Sequence, residues 1–324
     1  MRRAIGFLVF LYTILWLGHI GEAQQPGKVR RIGYLTTASA SSGASVREAF
    51  LDGLRQLGYV ENQNILIEYR YADGRNERLP ELAADLIRLK VEVIVASGTQ
   101  ATLAAKNATS TIPIVTPGSS DPLGKGLAET LARPGGNVTG ISTMGVELSG
   151  KRLEIFRETF PKVRRLAVVW YKGGNISFQE LRSDAQPFGF NSISVEVAQP
   201  EDFDRAFALA RRERPEGLFT ASGAFISAHR KRIIDFAAKN KLPAMYHQET
   251  FVEDGGLMSY SAGQKDLHRH AATFVDKILK GRKPADLPVE QPMKFELWFN
   301  LKTAKQIGVT IPPNVLVRAQ KVIR

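Results

Sequence analysis

VEVIVASGTQATLAA, residues Val91 to Ala105, runs from a short apolar segment through Ser97-Gly98-Thr99 into alanine-rich sequence. Val91, Val93, Ile94, Val95 and Ala96 read as a strand buried on both faces, and the small polar residues after them as a tight turn into a helix. Strand, turn and helix start are the repeating unit of a parallel α/β sheet. The helix start leaves backbone N–H groups free beside the Ser97 and Thr99 hydroxyls, an arrangement able to hold a carboxylate or another acceptor. The plainer alternative is that Thr99 caps its own helix and does nothing else. Recurrence of the same pattern along the chain favours the first reading.

From Arg31 the alternation is continuous. RIGYLT is a first strand, and a helix is expected over Ser45 to Leu57, with Ser45 and Glu48 spaced as a capping box. Ile65 to Tyr71 alternates as a strand, and Asn76 to Leu89 is helical. After VEVIVA and its helix comes Ile112 to Pro117. A short helix is then expected beyond Gly118-Ser119-Ser120-Asp121-Pro122, before the strand Asn137 to Ser142. A second series follows: helix Ser149 to Phe160, strand Arg164 to Tyr171, helix Phe178 to Gln186, strand SISVEV, helix Pro200 to Arg211, strand Gly217 to Ser222, helix Ala228 to Lys239 and strand Pro243 to His247. Two βα series of this length predict two similar lobes. The tail reads as strand Gly255 to Ser261, a strongly amphipathic helix Leu267 to Leu279, a proline-marked loop, strand KFELWFNL and a closing helix Lys302 to Ile307, an order that invites crossing between lobes.

Composition narrows the function. Residues 1–23 read as a signal peptide: Arg2 and Arg3 lead an apolar run from Ala4 to Gly18, and Gly21-Glu22-Ala23 offers a cleavage site near Ala23. The run is shorter than the ~20 residues of a membrane span. The chain has Cys 0, so it contains neither disulfides, thiolate metal sites nor a lipidated cysteine. A soluble, periplasmic protein is expected. The net charge of +12 raises the question of nucleic acid. The basic residues are dispersed, however, in Arg164-Arg165, Arg211-Arg212-Arg214 and Arg230-Lys231-Arg232, and no aromatic platform interleaves with them. They read as solvated faces, and no nucleic-acid partner is expected.

Several long segments carry a resemblance: FLDGLRQLGYVENQNILIEYRYADG, RLPELAADLIRLKVEVIVASGTQAT, SDPLGKGLAETLARPGGNVTGIS, GKRLEIF, FVEDGGLMSYS and VDKILKGRKPADLPVEQPMKFELWFNLKTAKQIGVTIPPNVLVRA. Over about Lys28 to Ala319 the chain resembles the ABC-transporter substrate-binding proteins that include tryptophan- and tyrosine-type binding components. The resemblance implies a type 1 periplasmic-binding-protein fold. This is α/β, with two doubly wound parallel-sheet lobes, three crossovers and a cleft that closes on one small solute. By that analogy one lobe is residues 29–142 and 262–289, and the other 143–261 and 290–324. An ABC permease in the inner membrane is the implied partner. The solute is expected to be amino-acid-like or an aromatic acid, and the chain to act as a monomer without cofactor or metal.

Ligands of open α/β sheets bind beyond the carboxyl ends of the strands. Those ends supply the candidates Thr36, Thr37, Ser97, Gly98, Thr99, Ser119, Ser120 and Asp121 from the first series, and Tyr171, Ser222, Gly223, Tyr246 and His247 from the second. The expectation is that first-lobe hydroxyl and N–H groups hold an acceptor group while Tyr171 or Tyr246 packs on the solute's body. Alternatives stand beside these: Asp121-Pro122 as a turn, Trp170 as a core residue and His247 as a structural histidine. Family members usually carry Asn-Pro after the strand that here ends in Trp170-Tyr171-Lys172, and Pro-Asp where Ser222-Gly223 stands, so a relative's solute does not transfer. Enzyme chemistry finds no support: Gly118 to Gly126 has the wrong spacing for a phosphate loop, His268 and His270 face different sides of a helix, and no G-x-S-x-G elbow occurs. The remaining alternative to a transport receptor is a sensory receptor read by a chemoreceptor or histidine kinase, with an exported α/β enzyme behind both.

Overall fold

Alternate side chains of one strand enter opposite cores. In β3 (Val93–Ser97) Val93 and Val95 face one buried cluster while Ile94 and Ala96 face another, the period-2 consequence of a strand covered on both sides. The structure is a computed structural model and describes residues 29–324, so the leader expected over residues 1–23 lies outside the described residues. β1 (Arg30–Thr36), β2 (Ile65–Tyr71), β3, β4 (Ile114–Ser119) and β5 (Val138–Ser142) form an all-parallel sheet in the order β2-β1-β3-β4-β5. Register is fixed by the buried pattern, with Tyr34 opposite both Tyr69 and Val95. Phe50 and Leu54 of α1 (Ala44–Gln56) cover one face; α2 (Leu79–Arg88) and α3 (Thr99–Ala108) cover the other through Leu79, Ala83, Leu86, Ala101 and Ala105.

The second sheet repeats the plan after α4 (Leu148–Thr159). It contains β6 (Arg165–Tyr171), β7 (Asn191–Val197), β8 (Gly217–Thr220), β9 (Ala244–Tyr246), β10 (Met258–Ser261), β11 (Glu296–Asn300) and β12 (Lys321–Ile323), in the order β12-β11-β10-β9-β8-β6-β7. Only the β10–β11 pairing is antiparallel. Again one strand feeds two cores: Leu166 and Val168 meet α4 and α5 (Phe178–Ala185), whereas Ala167 and Val169 meet α6 (Asp202–Arg212), α7 (Ala224–Ala228), α8 (Arg230–Lys239) and α9 (Glu249–Glu253).

The chain then returns. α10 (Gln264–Leu279) leaves the end of β10 and packs on the first sheet, its Leu267, Ala271, Phe274 and Val275 joining the cluster of Phe50 and Leu54. Its approach to α1 is close: a Cβ on Gly53 would clash with the Arg269 carbonyl oxygen. After α10, Leu287 closes the same core, and the strand segment at Glu290 runs beside the end of β5, with Ser142 N donating to the Glu290 carbonyl at 2.8 Å. α11 (Leu301–Ile307), α12 (Pro313–Leu316) and β12 finish the second sheet.

Local differences from the sequence reading have local causes. The expected Ser45/Glu48 capping box does not form, because α1 begins one residue earlier, at Ala44, with Gly43 as its N-cap. A capping box is present instead at Ser177 and Glu180 on α5. The short helix expected after Pro122 is a series of turns, the first held by the Asp121 carboxylate accepting from Gly124 N at 2.8 Å. The helix expected over Ala228 to Lys239 is broken at His229, which separates α7 from α8. α12 and the edge strand β12 were not legible as elements: three- and four-residue segments carry too few positions to show a period.

Candidate functional site

The carboxyl ends of the two parallel sheets face one another across a cavity of about 110 Å³. From the first sheet it is lined by Thr36, Ser97, Gly98, Thr99 and Ser120, and from the second by Ser222, Gly223 and His247, so these eight expected residues come together. Five do not. Thr37 is fully buried and donates to Asn76 Oδ1 at 2.8 Å. Ser119 lies behind Thr99, 3.1 Å from its hydroxyl, and Asp121 shapes its own turn. Tyr171 borders a neighbouring notch with Gln100 and Asn175, its ring stacked on Phe225 at 4.3 Å. Tyr246 corrects the expectation most clearly: it is 1% exposed and stacked on Phe251, so its ring belongs to the core beneath the second sheet. Among the described residues no Phe, Tyr or Trp lines the cavity. Trp170 packs against Phe178 and donates its indole N–H to Ser194 Oγ at 2.9 Å.

On the first-lobe side the turn after β3 is set by Gly98, whose φ of 95 and ψ of 159 suit glycine almost alone. That turn brings Thr99 Oγ1 to accept from Ser120 N at 3.1 Å. Asn175, in the loop after β6, donates from Nδ2 to Thr99 Oγ1 at 2.9 Å and to Ser120 Oγ, joining the two sides of the cleft. Further bridges lie outside the cavity: His229 Nε2 donates to the Gly74 carbonyl at 3.1 Å, Gln100 donates to the Gly173 carbonyl at 2.6 Å, and Arg75 pairs with Glu201 at 2.5 Å. A Cβ on Gly98 would meet the Ala224 Cβ at 2.8 Å, so the Gly98 backbone lies against the Ala224 methyl with no room for a side chain between them.

The second-lobe side is built around a residue the sequence reading passed over. Arg152, on α4, is 2% exposed and lines the cavity. Its Nε donates to the Tyr260 carbonyl at 2.8 Å, Nη1 to the Gly145 carbonyl at 3.0 Å and to Ser222 Oγ at 2.9 Å, and Nη2 to the His247 carbonyl at 3.1 Å. Burial lowers its pKa to about 9. The sequence did carry a signal. Leu148, Arg152, Ile155, Phe156 and Thr159 form the buried stripe of α4, so Arg152 stands at a position where the helical period asks for an apolar side chain. Ser42, Ser45, Gln264 and His268 also line the cavity unforeseen.

Both histidines of the lining are held neutral by burial. His268 donates from Nδ1 to the Gln264 carbonyl at 2.9 Å, which leaves Nε2 to accept from Ser97 Oγ at 3.0 Å, and its pKa falls to about 4. His247 has Nδ1 3.0 Å from Thr220 Oγ1 and Nε2 2.9 Å from Ser227 Oγ; burial first, and the Arg152 charge second, put it well below the ordinary histidine value. Behind the lining, Glu249 accepts from Ser261 Oγ at 3.0 Å and from Gln264 N at 2.5 Å, and burial pushes it up to about 7. It thereby braces the segment through which the chain crosses from β10 to α10. Among the described residues no cluster of three or more His, Cys, Asp or Glu is placed to hold a metal ion, and no helix is long and apolar enough to cross a membrane.

Residues 32–323 match the family model described as ABC transporter substrate binding protein. The chain belongs to that family. Among curated relatives of this substrate-binding family, it is 24% identical over 286 residues to a tyrosine-binding protein of Clostridioides difficile (strain R20291), covering 87% of this chain and 82% of that one. A Streptococcus pneumonia ABC domain solved in complex with L-Trp superimposes with a TM-score of 0.82 at 25% identity, over 91% of this chain and 99% of that one. A conserved domain protein from Vibrio cholerae gives 0.84 at 27% identity, over 91% and 100%. A periplasmic binding protein from Burkholderia mallei shares the two-lobed α/β fold, with a TM-score of 0.56 at 13% identity over 80% of each chain.

Proposed function

We propose that this chain is the exported solute-binding receptor of an ABC importer, which binds one small organic solute between two lobes and passes it unchanged to a permease in the inner membrane. The observation that carries the reading is the cleft itself. Two parallel sheets present their carboxyl ends to a shared polar cavity, and Asn175, His229 and Gln100 bond across the gap from one sheet's loops to the other's. Bonds that exist only when the gap is closed give a ligand something to stabilise, because a ligand shifts an equilibrium by its differential affinity for the two states. In this reading residues 29–142 with 262–289 form one lobe and 143–261 with 290–324 the other. The paired segments at Ser142 and Glu290 and the braced segment Ser261 to Gln264 serve as the connections. The protein acts as a monomer and converts nothing. The test combines small-angle scattering with uptake: a bound solute contracts the particle, and deleting the permease abolishes uptake of that solute. A particle that does not change on binding, or uptake that survives the deletion, would refute the reading. A sensory receptor would retain its signalling output in the same deletion strain.

A further inference from the structure

The charge of the cavity names the chemistry of its ligand. Arg152 is buried among neutral oxygens, three backbone carbonyls and one hydroxyl, and among the described residues no Asp or Glu side chain forms an ion pair with it. Four of its five N–H groups are engaged, which leaves one on Nη2. A buried charge without a counter-ion is strongly unfavourable, and proteins retain such groups where something else neutralises them. The other guanidinium of the lining, Arg230, already has its carboxylate, Asp254, at 2.7 Å. Neither His247 nor His268 adds charge, since both rings are buried with both nitrogens bonded. Among the described residues no Asp or Glu lines the cavity, and Glu249 behind it is committed to Ser261 and Gln264.

We infer that the ligand is a short organic monocarboxylate without an ammonium group, its carboxylate neutralising Arg152. One uncompensated positive charge matches one negative charge. A zwitterionic amino acid leaves the cavity still positive and sets its ammonium among hydroxyls with no carboxylate to receive it, and a dianion such as phosphate overshoots. The body of the acid is small and not aromatic, because about 110 Å³ is well under the ~300–1,000 Å³ of typical drug-sized sites and, among the described residues, no Phe, Tyr or Trp lines it. This inference deepens the receptor reading and rests on it.

The experiment is thermal denaturation and titration calorimetry on the purified protein with acids paired to amino acids that differ only by the ammonium: propionate with L-alanine, 3-methylbutanoate with L-valine, and 4-methylpentanoate with L-leucine. Inorganic phosphate and the pair indole-3-propionate and L-tryptophan serve as controls. At least one short acid is expected to raise the Tm and to bind at least tenfold more tightly than its amino acid, with phosphate and both indole compounds inactive. Arg152→Gln abolishes the preference, and Arg152→Lys, which keeps the charge, retains part of it. Because Arg152 also ties loops together, the wild-type pairs decide the matter if the variants fail to fold. An amino acid that binds as tightly as its deaminated partner overturns the inference, and so does failure of every short acid. In the first case contraction on binding the amino acid would leave the receptor reading standing; a binder that causes no contraction would instead sink that reading.

Discussion

Asn175 is the side chain through which the cleft loops touch most directly. Its Nδ2 reaches Thr99 and Ser120 on the opposite side, and no other residue of its loop makes these bonds. Each net hydrogen bond is worth about 1 kcal/mol, so Asn175→Ala should weaken solute binding by roughly 5- to 30-fold while leaving urea stability of the ligand-free protein nearly unchanged. Equal affinity in the variant by calorimetry would show that closure does not use these bonds. Glu249 makes a different prediction. Its carboxyl is held at about 7 by burial against an ordinary 4.5, so between those values the native state keeps a proton that the unfolded chain has released. Its contribution to stability therefore falls as pH rises from 4.5 to 7, by on the order of 3 kcal/mol in all. His268, held near 4 against 6.5, works the other way and loses stability as pH falls below 6.5. The two trends overlap in the wild type, so the measurement is the difference in urea stability between wild type and Glu249→Gln at each pH. That difference should move in the variant's favour as pH rises through the window; parallel curves would mean the carboxyl titrates normally. At this scale the sequence was partly legible. Hydroxyl residues at strand ends were readable because a parallel sheet puts strand ends at its ligand edge. Tyr246 was misread because three buried residues of β9 leave no period from which to tell edge from core. Arg152 was not legible from the strand ends because it stands on a helix, where its place in an apolar stripe was the signal.

At the scale of elements, the turn between β3 and α3 meets α7 across the cleft. Gly98 combines a positive φ with near-contact to Ala224, two demands that one substitution separates into strain and clash. Gly98→Ala should lower stability by about 1–3 kcal/mol through the backbone alone, a loss read in urea and independent of ligand. It should further keep the lobes apart, seen as a larger radius of gyration in the presence of ligand. Adding Ala224→Gly removes the opposing Cβ and should restore contraction without restoring the lost stability. If the double variant stays expanded, the clash is not what limits closure. Elements were the most readable level of this chain. β3 and β6 announce themselves as unbroken apolar runs because both faces are covered, and α10 because one face meets a sheet. Caps and breaks were less readable: Ser45 and Glu48 have capping spacing, yet Gly43 takes the N-cap and Ser45 turns to the cavity, since the choice depends on where the preceding loop lets the helix begin.

At the scale of the molecule, the apolar clusters keep to their own sheets. Two contain the strands of the first sheet with α1, α2, α3 and α10, and two contain the strands of the second. What crosses between them is polar and sparse, apart from three chain connections. Such interfaces couple lobes weakly, so each half should unfold with some independence until a solute joins them. The sequence supplies a selective probe, because Trp170 and Trp298, the described tryptophans, both belong to the second sheet, on β6 and β11. Tryptophan fluorescence therefore follows one half, while circular dichroism follows both. Without ligand the two urea transitions should not coincide. A solute at 100 times its Kd adds about 2.7 kcal/mol to whatever state binds it, and only the state with both halves folded does so. Saturation should consequently shift both transitions upward and draw them together. Coincident curves in the absence of ligand would mean that the two halves are one cooperative unit, and that a solute bound between them tightens a structure it does not assemble.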